Sequence, residues 1–300
     1  MKKILKDIRR LKKKENAVIL VHNYQPPQIH RIADYTGDSL GLSIKAADTE
    51  ADVIIFCGVD FMAETARILS PNKKVILPAP DATCPMAEMI TAPELIKLKK
   101  EYPGVPVVTY VNSTAEVKAK SDICCTSANA VKVVKSLNVP KIIFTPDRNL
   151  ASYVEKITGI EIIKWNGFCP VHERITRRIV MAIQERYPDA VFMAHPECLP
   201  EVIEMADYTV STGGMSDVVA QSSKKNFIVG TEMGMIYPLS KEFPGKEFIS
   251  AGSRAVCKNM KKITLKKVFS ALENLEPEIK LDPEVSARAR LAVQKMLEVS

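Results

Sequence analysis

The 300-residue chain contains no apolar run approaching the roughly 18 residues that suggest a membrane-spanning helix. Its longest apolar stretches, 17–21 and 53–61, are the size of β-strands. The basic start, Met1-Lys2-Lys3-Ile4-Leu5-Lys6, lacks the apolar segment of a secretory signal, so a cytoplasmic protein is expected. No two of the seven cysteines form a CxxC pair, and their number is odd. In a reducing compartment disulfides are not expected, and each cysteine must be a small buried hydrophobe, a reactive thiol or a metal ligand. The CxxxCxxC spacing of radical-SAM enzymes is missing too. Nor is there a concentrated basic face for nucleic acid, although the formal net charge is +7. The N-terminal lysines alternate with Ile4, Leu5, Ile8 and Leu11 at helical spacing and read as the solvated face of a helix. Only Lys258, Lys261 and Lys262 make another small cluster. A mild positive excess suits small anionic ligands.

What is present is an ordinary globular composition, 46% hydrophobic and 26% charged, written three times with a period near 86 residues. Four landmarks recur in order. An apolar strand ends in a polar cluster at His22-Asn23-Tyr24, Asn112-Ser113 and His195-Pro196-Glu197. An aspartate (Asp34, Asp122, Asp207) then precedes a Ser/Thr/Gly loop carrying Ser39, Ser127 or Ser211-Thr212. A second strand ends at an acidic turn, at Asp60, Asp147 and Glu232. A last strand is expected to run to a cysteine, at Cys84, Cys169 and Cys257. Helix-like stretches separate the strands, which argues for parallel sheets in α/β units covered on both faces. The expected fold is therefore α/β, with three similar units in approximate threefold symmetry around a central site. The expected boundaries are 1–85 (completed by the helical segment 263–300), 86–170 and 171–262. Ligands of such sheets bind beyond the carboxyl ends of the strands, where all the polar landmarks lie.

Cysteines at one landmark of each repeat would be brought to one point, where three thiolates require a cation. Cys57, Cys124 and Cys125 sit in apolar strands and read as structural; Cys198, beside Glu197, is also read as structural. Thiolate sites select zinc, Cu(I) or iron–sulfur clusters. Zinc would lack a fourth ligand unless His172 supplied it, whereas a [4Fe–4S] cluster on three cysteines keeps one iron open as a Lewis acid. Spacing leaves both alternatives open. The Ser/Thr/Gly loops present N–H and hydroxyl groups suited to phosphate or carboxylate. Glu197, flanked by His195, is placed to act as a general base, and Tyr24 and His22 are candidates for expelling water.

The motifs HNYQ (22–25), GDS (37–39), GVDFMAE (58–64), TCPMA (83–87), YVNS (110–113), TSAN (126–129), GxCPVH (167–172), HPEC (195–198), STGGM (211–215), GTEMGM (230–235) and CxNMK (257–261) together resemble the quinolinate synthase family over essentially the whole chain. The resemblance implies a transferase of NAD biosynthesis that condenses iminoaspartate with dihydroxyacetone phosphate to quinolinate, phosphate and water. It implies a [4Fe–4S] cluster rather than zinc on Cys84, Cys169 and Cys257. It also implies that His22, Ser39, Tyr110, Val111, Asn112, Ser127, His195, Pro196, Glu197, Ser211 and Thr212 bind substrate, with Glu197, Tyr24 and His22 catalytic. Partners are then the two anionic substrates and, transiently, the enzyme that produces iminoaspartate, with no nucleic acid and no membrane. Two departures stand out. Phe168 occupies a position where several family members carry histidine, and Cys257-Lys258-Asn259-Met260 lacks the further cysteines that would allow a disulfide there. The rival readings are another [4Fe–4S] hydro-lyase acting on a dicarboxylate and a zinc-stabilised structural protein.

Overall fold

The computed structural model describes residues 2–299; Met1 and Ser300, the outer ends of the first and last expected segments, lie outside the described residues. Twelve strands are described: β1 (Ala17–His22), β2 (Tyr35–Gly37), β3 (Val53–Cys57), β4 (Lys74–Ile76), β5 (Val107–Tyr110), β6 (Ile123–Cys125), β7 (Lys141–Thr145), β8 (Glu161–Lys164), β9 (Val191–Ala194), β10 (Tyr208–Thr209), β11 (Asn226–Gly230) and β12 (Glu247–Ser250). They form three four-stranded sheets ordered β2-β1-β3-β4, β6-β5-β7-β8 and β10-β9-β11-β12, the same strand order each time. Every pairing within these sheets is parallel. The protein is thus α/β, with three parallel, helix-covered sheets in three similar units. The central strands are buried throughout, as β3 and β5 show, because helices cover both faces.

The repeated aspartate has a structural task. Asp34, Asp122 and Asp207 each accept, on one carboxylate oxygen, the backbone N–H of the first strand of their unit: Ile19 at 2.9 Å, Val107 at 2.7 Å and Phe192 at 2.8 Å. Each also donates its own N–H to the carbonyl of that residue. This reciprocal pair fixes where the short second strand joins the sheet, so the loop after it emerges at the same height in all three units.

The last strand of each unit does not run to its cysteine. β4, β8 and β12 stop at Ile76, Lys164 and Ser250, and the cysteines lie beyond them in loops. In the first unit Pro78 and Pro80 cannot donate to a ladder, which ends the strand early. Each cysteine is instead followed by a single 3₁₀ turn, at Ala87–Met89, His172–Arg174 and Met260–Lys262.

The N-terminal helix Lys2–Lys14 buries Ile8 and Leu11, with its lysines outward. It packs against helix Leu265–Asn274. The last helix, Pro283–Val299, lies across helix Asp60–Leu69 of the first unit and across β6 and helices Ala115–Lys118 and Ala130–Ser136 of the second. Between these two helices, Glu278 forms an antiparallel bridge to Ile76 at the edge of the first sheet. Among the described residues no helix is long and apolar enough to cross a membrane.

Candidate active site

A small cavity of about 80 Å³ opens where the carboxyl ends of the three sheets meet. Each unit contributes the same kinds of group. From the ends of the first strands come His22 and Tyr24, Tyr110 and Asn112, and His195 and Glu197. The loops after the second strands add Ser39, Ser127 and Thr212, and the last loops add Cys84, Cys169 and Cys257. Val111, Pro196 and Ser211 are buried next to wall residues but do not line the cavity. Ser211 caps helix Thr212–Gln221 through Gly214 N–H and donates to Asp38 at 3.2 Å.

Glu197 is the hub. Its Oε1 accepts from the Tyr110 hydroxyl at 2.5 Å and from Asn112 Nδ2 at 3.5 Å, and its Oε2 lies 2.8 Å from His172 Nδ1. Only 3% of the residue is exposed. Burial of this carboxyl opposes ionisation, but the His172 and His195 imidazoles and the hydrogen bonds from His172 and Tyr110 outweigh it. The carboxylate is held below its usual range. Burial and the Glu197 charge push both Tyr24 and Tyr110 well above the usual phenol range, so both hydroxyls stay protonated. Behind Glu197 a chain continues: His172 Nε2 is 2.8 Å from Thr231 Oγ1, which is 2.5 Å from the Tyr24 hydroxyl.

The backbone sets the tautomers of two imidazoles. Tyr24 N–H donates to His22 Nδ1 at 3.1 Å, and Glu197 N–H donates to His195 Nδ1 at 3.3 Å. A nitrogen accepting such a bond carries no proton, so each ring presents Nε2–H. His195 Nε2 then donates to Ser127 Oγ at 3.1 Å. Burial lowers both imidazoles to about 3, assisted at His22 by Lys261 and at His195 by His172. They are neutral donors near neutral pH. The corresponding position of the second unit holds Asn112, a residue lining the cavity, whose buried Oδ1 has no partner among the described residues.

The three cysteines share one local geometry. Cys84 Sγ accepts backbone N–H groups from Met86 and Ala87, Cys169 from Val171 and His172, and Cys257 from Asn259 and Met260. Burial pushes all three thiols up, so they ionise only with a cation beside them. Among the described residues Cys169, His172 and Glu197 also offer ligand atoms within 4.8 Å of one another. This is the donor set of a metal centre. The other cysteines stay apart from it. Cys57, Cys124, Cys125 and Cys198 are buried, and Cys198 Sγ donates to Gly230 O at 3.3 Å.

Among the described residues no lysine or arginine lines the cavity. Anions would be held by neutral donors, namely the imidazole N–H groups, the Ser39, Ser127 and Thr212 side chains, and the N-termini of helices Ser39–Asp48 and Thr212–Gln221. Several wall residues carry no sequence signal of a role: Phe61, Met62, Met86 and Met260 supply apolar wall. Thr231, behind the wall, joins Tyr24 to His172 and lies inside the GTEMGM motif without standing out from it.

The family model described as quinolinate synthetase A protein (NadA) matches residues 6–298. A quinolinate synthase of Pelobacter propionicus is 54% identical over 297 residues, covering 99% of this chain and 98% of that protein. One from Geobacter sp. (strain M21) is 52% identical over 293 residues, 98% of this chain and 96% of the relative. Another from Methanoregula boonei is 52% identical over 291 residues, 97% and 96% of the two chains.

Proposed function

The chain belongs to the quinolinate synthetase A family, and from that premise we propose that it is a transferase condensing iminoaspartate with dihydroxyacetone phosphate to quinolinate, phosphate and water in NAD biosynthesis. The observation that carries this reading is the meeting of three equivalent cysteines, one per unit, with the buried carboxylate of Glu197 on a single cavity.

Cys84, Cys169 and Cys257 would hold a [4Fe–4S] cluster, and the threefold set of backbone N–H groups aimed at the sulfurs suits such thiolates. When bound, the cluster supplies an open iron that acts as a Lewis acid on a substrate oxygen and favours loss of water. Glu197 would take the carbon-acid proton from the triose phosphate. A substrate that displaces the Tyr110 hydroxyl from Oε1 removes a bond stabilising the carboxylate and so raises its basicity. Protonated Tyr24 can donate to a departing hydroxyl, and the link through Thr231 and His172 to Glu197 gives that proton a return route. His22 Nε2–H and His195 Nε2–H, with Ser39, Ser127 and Thr212, would hold carboxylate and phosphate oxygens without a fixed positive charge, which favours release of an anionic product. Iminoaspartate would be delivered by the enzyme that forms it, in the cytoplasm.

A specific observation favours one second reading, a single zinc ion on Cys169, His172 and Glu197. It leaves Cys84 and Cys257 unused, and His172 Nδ1 would have to give up its bond to Glu197. Anaerobic purification separates the readings. About four irons and four sulfides per chain are expected, with quinolinate formed from oxaloacetate, ammonia and dihydroxyacetone phosphate. One zinc and no sulfide would sink the cluster. A cluster-loaded protein that makes no quinolinate would point to another hydro-lyase.

A further inference from the structure

The acidic turn of each unit lies against the loop that carries that unit's cysteine. Asp147 Oδ1 accepts Leu150 N–H at 2.6 Å, capping the helix after β7, while its Oδ2 accepts the backbone N–H of Cys169 at 3.2 Å. Glu232 Oε2 accepts Gly234 N–H at 2.7 Å, while its Oε1 accepts the N–H of Cys257 at 3.0 Å. Asp60 accepts Phe61 N–H at 2.8 Å and also the N–H of Cys84. A second tie runs the other way. Asp60 N–H, Arg148 N–H and Met233 N–H donate to Ala82 O, Gly167 O and Ala255 O, in each case the residue two before the cysteine. These backbone donors correspond to one another, so the Asp60 carboxylate comes from one residue later in its turn than Asp147 or Glu232. The approach is close: a Cβ on Gly167 would fall 2.5 Å from Pro146 O, and one on Gly234 would fall 2.6 Å from Glu232 Oε2.

We infer that Asp60, Asp147 and Glu232 are positioning residues for the metal centre, each fixing the backbone of one cysteine ligand to the end of its unit's β-sheet; the inference rests on the cluster reading above. A helix cap alone does not call for this arrangement. Capping uses one carboxylate oxygen, and an exposed polar side chain suffices. Here Asp147 and Glu232 are fully buried, an expensive placement for a carboxylate even with Lys261 Nζ 3.0 Å from Glu232, and in both the oxygen not used by the cap accepts a cysteine N–H. With its N–H held from one side and its sulfur receiving two N–H groups from the following turn, each cysteine has little freedom left before any metal arrives. Pre-placing the ligands removes an ordering cost from cluster binding, and partners of this kind typically alter metal affinity by roughly 10–100-fold.

The test uses the cluster-loaded protein and the variants Glu232→Gln and Asp147→Asn. Each keeps its size and one acceptor oxygen, enough for the helix cap but not for cap and cysteine together. Under anaerobic conditions both variants should release iron to a ferrous chelator about 10-fold faster or more than the parent. The midpoint potential of the Glu232→Gln cluster, followed by electron paramagnetic resonance, should move to more positive values, because a nearby negative charge is lost. Thr264→Ala removes a cap from helix Leu265–Asn274 without touching a cysteine and should release iron at the parental rate. Parental iron release with an unchanged resonance spectrum in both carboxylate variants would overturn the inference, as would equal acceleration in Thr264→Ala. Should either buried variant fail to fold, the half-buried Asp60→Asn tests the tie to Cys84, with faster iron release expected there too. A parent that binds zinc and no sulfide fails at the cluster reading itself, a result distinct from a cluster-bearing parent whose variants behave like it.

Discussion

Glu197 takes its character from three separate parts of the chain: Tyr110 and Asn112 after β5, His172 from the turn after Cys169, and its own neighbour His195. Under the proposed reading Glu197→Gln preserves shape but cannot accept a proton. Turnover should fall by roughly 10²–10⁴-fold while binding of the triose phosphate changes little. Exchange of the triose carbon proton in heavy water, followed by NMR without iminoaspartate, reads the step directly. Exchange at the parental rate would remove Glu197 from the role. The two neutral imidazoles carry a stability prediction for the apoprotein. His22 and His195 titrate near 3 in the fold, against about 6.5 when unfolded. Between those values the unfolded chain binds more protons, so stability falls as pH drops below about 6.5. The loss should be about 1.4 kcal/mol per pH unit for each imidazole. Urea midpoints at pH 7, 6 and 5 measure the slope, to which His30, also lowered by burial, adds, and His195→Phe should make it shallower. A midpoint constant over this range would mean the rings are already charged in the folded protein.

At the scale of elements, the informative unit is the cysteine loop with its 3₁₀ turn, present three times with the same N–H groups facing sulfur. Serine at Cys84, Cys169 or Cys257 should abolish the visible thiolate–iron absorption and the activity. Alanine at Cys57, Cys124, Cys125 or Cys198, all buried in the hydrophobic cores, should retain both. A Cys169→Ser protein with full iron and activity would refute the three-ligand assignment. The strands of the three units, and the aspartates that precede their second strands, match as closely as the loops do. The last strands differ from the sequence expectation because proline and loop geometry end them before the cysteine, so that the ligand is presented by a turn rather than by a strand.

For the whole molecule, what matters is that no unit owns the site. Each sheet supplies one thiol and one hydroxyl loop, and Glu197 of the third unit is held by residues of the second and by the turn after Cys169. An iron without a protein ligand is the one most easily lost. Aeration should therefore reduce activity, and ferrous iron with thiol under anaerobic conditions should restore it. Full activity after prolonged aeration would favour zinc. The same shared construction means that damage to one sheet should disturb ligands contributed by all three, and a loss of iron should accompany any loss of packing between units.

The threefold repetition, the parallel α/β units and a cysteine at the same landmark of each repeat are legible in the sequence, because alternation of apolar strands with helices and a recurring order of residue types are local properties of the chain. So are the amphipathic first helix and the polar strand ends that face the cavity. The spacing of the cysteines, however, leaves zinc and a cluster equally open. Tertiary structure decides what depends on distance between remote residues. It places Cys198 against Gly230 in the core, joins Thr231 to both Tyr24 and His172, and shows that the second-landmark aspartates hold strands while the acidic turns hold cysteine loops. A carboxylate at a strand end looks the same in sequence whether it caps a helix, binds a ligand or fixes a neighbouring loop. Which of these it does depends on the N–H groups within about 3 Å, and only the packing of the three units determines those.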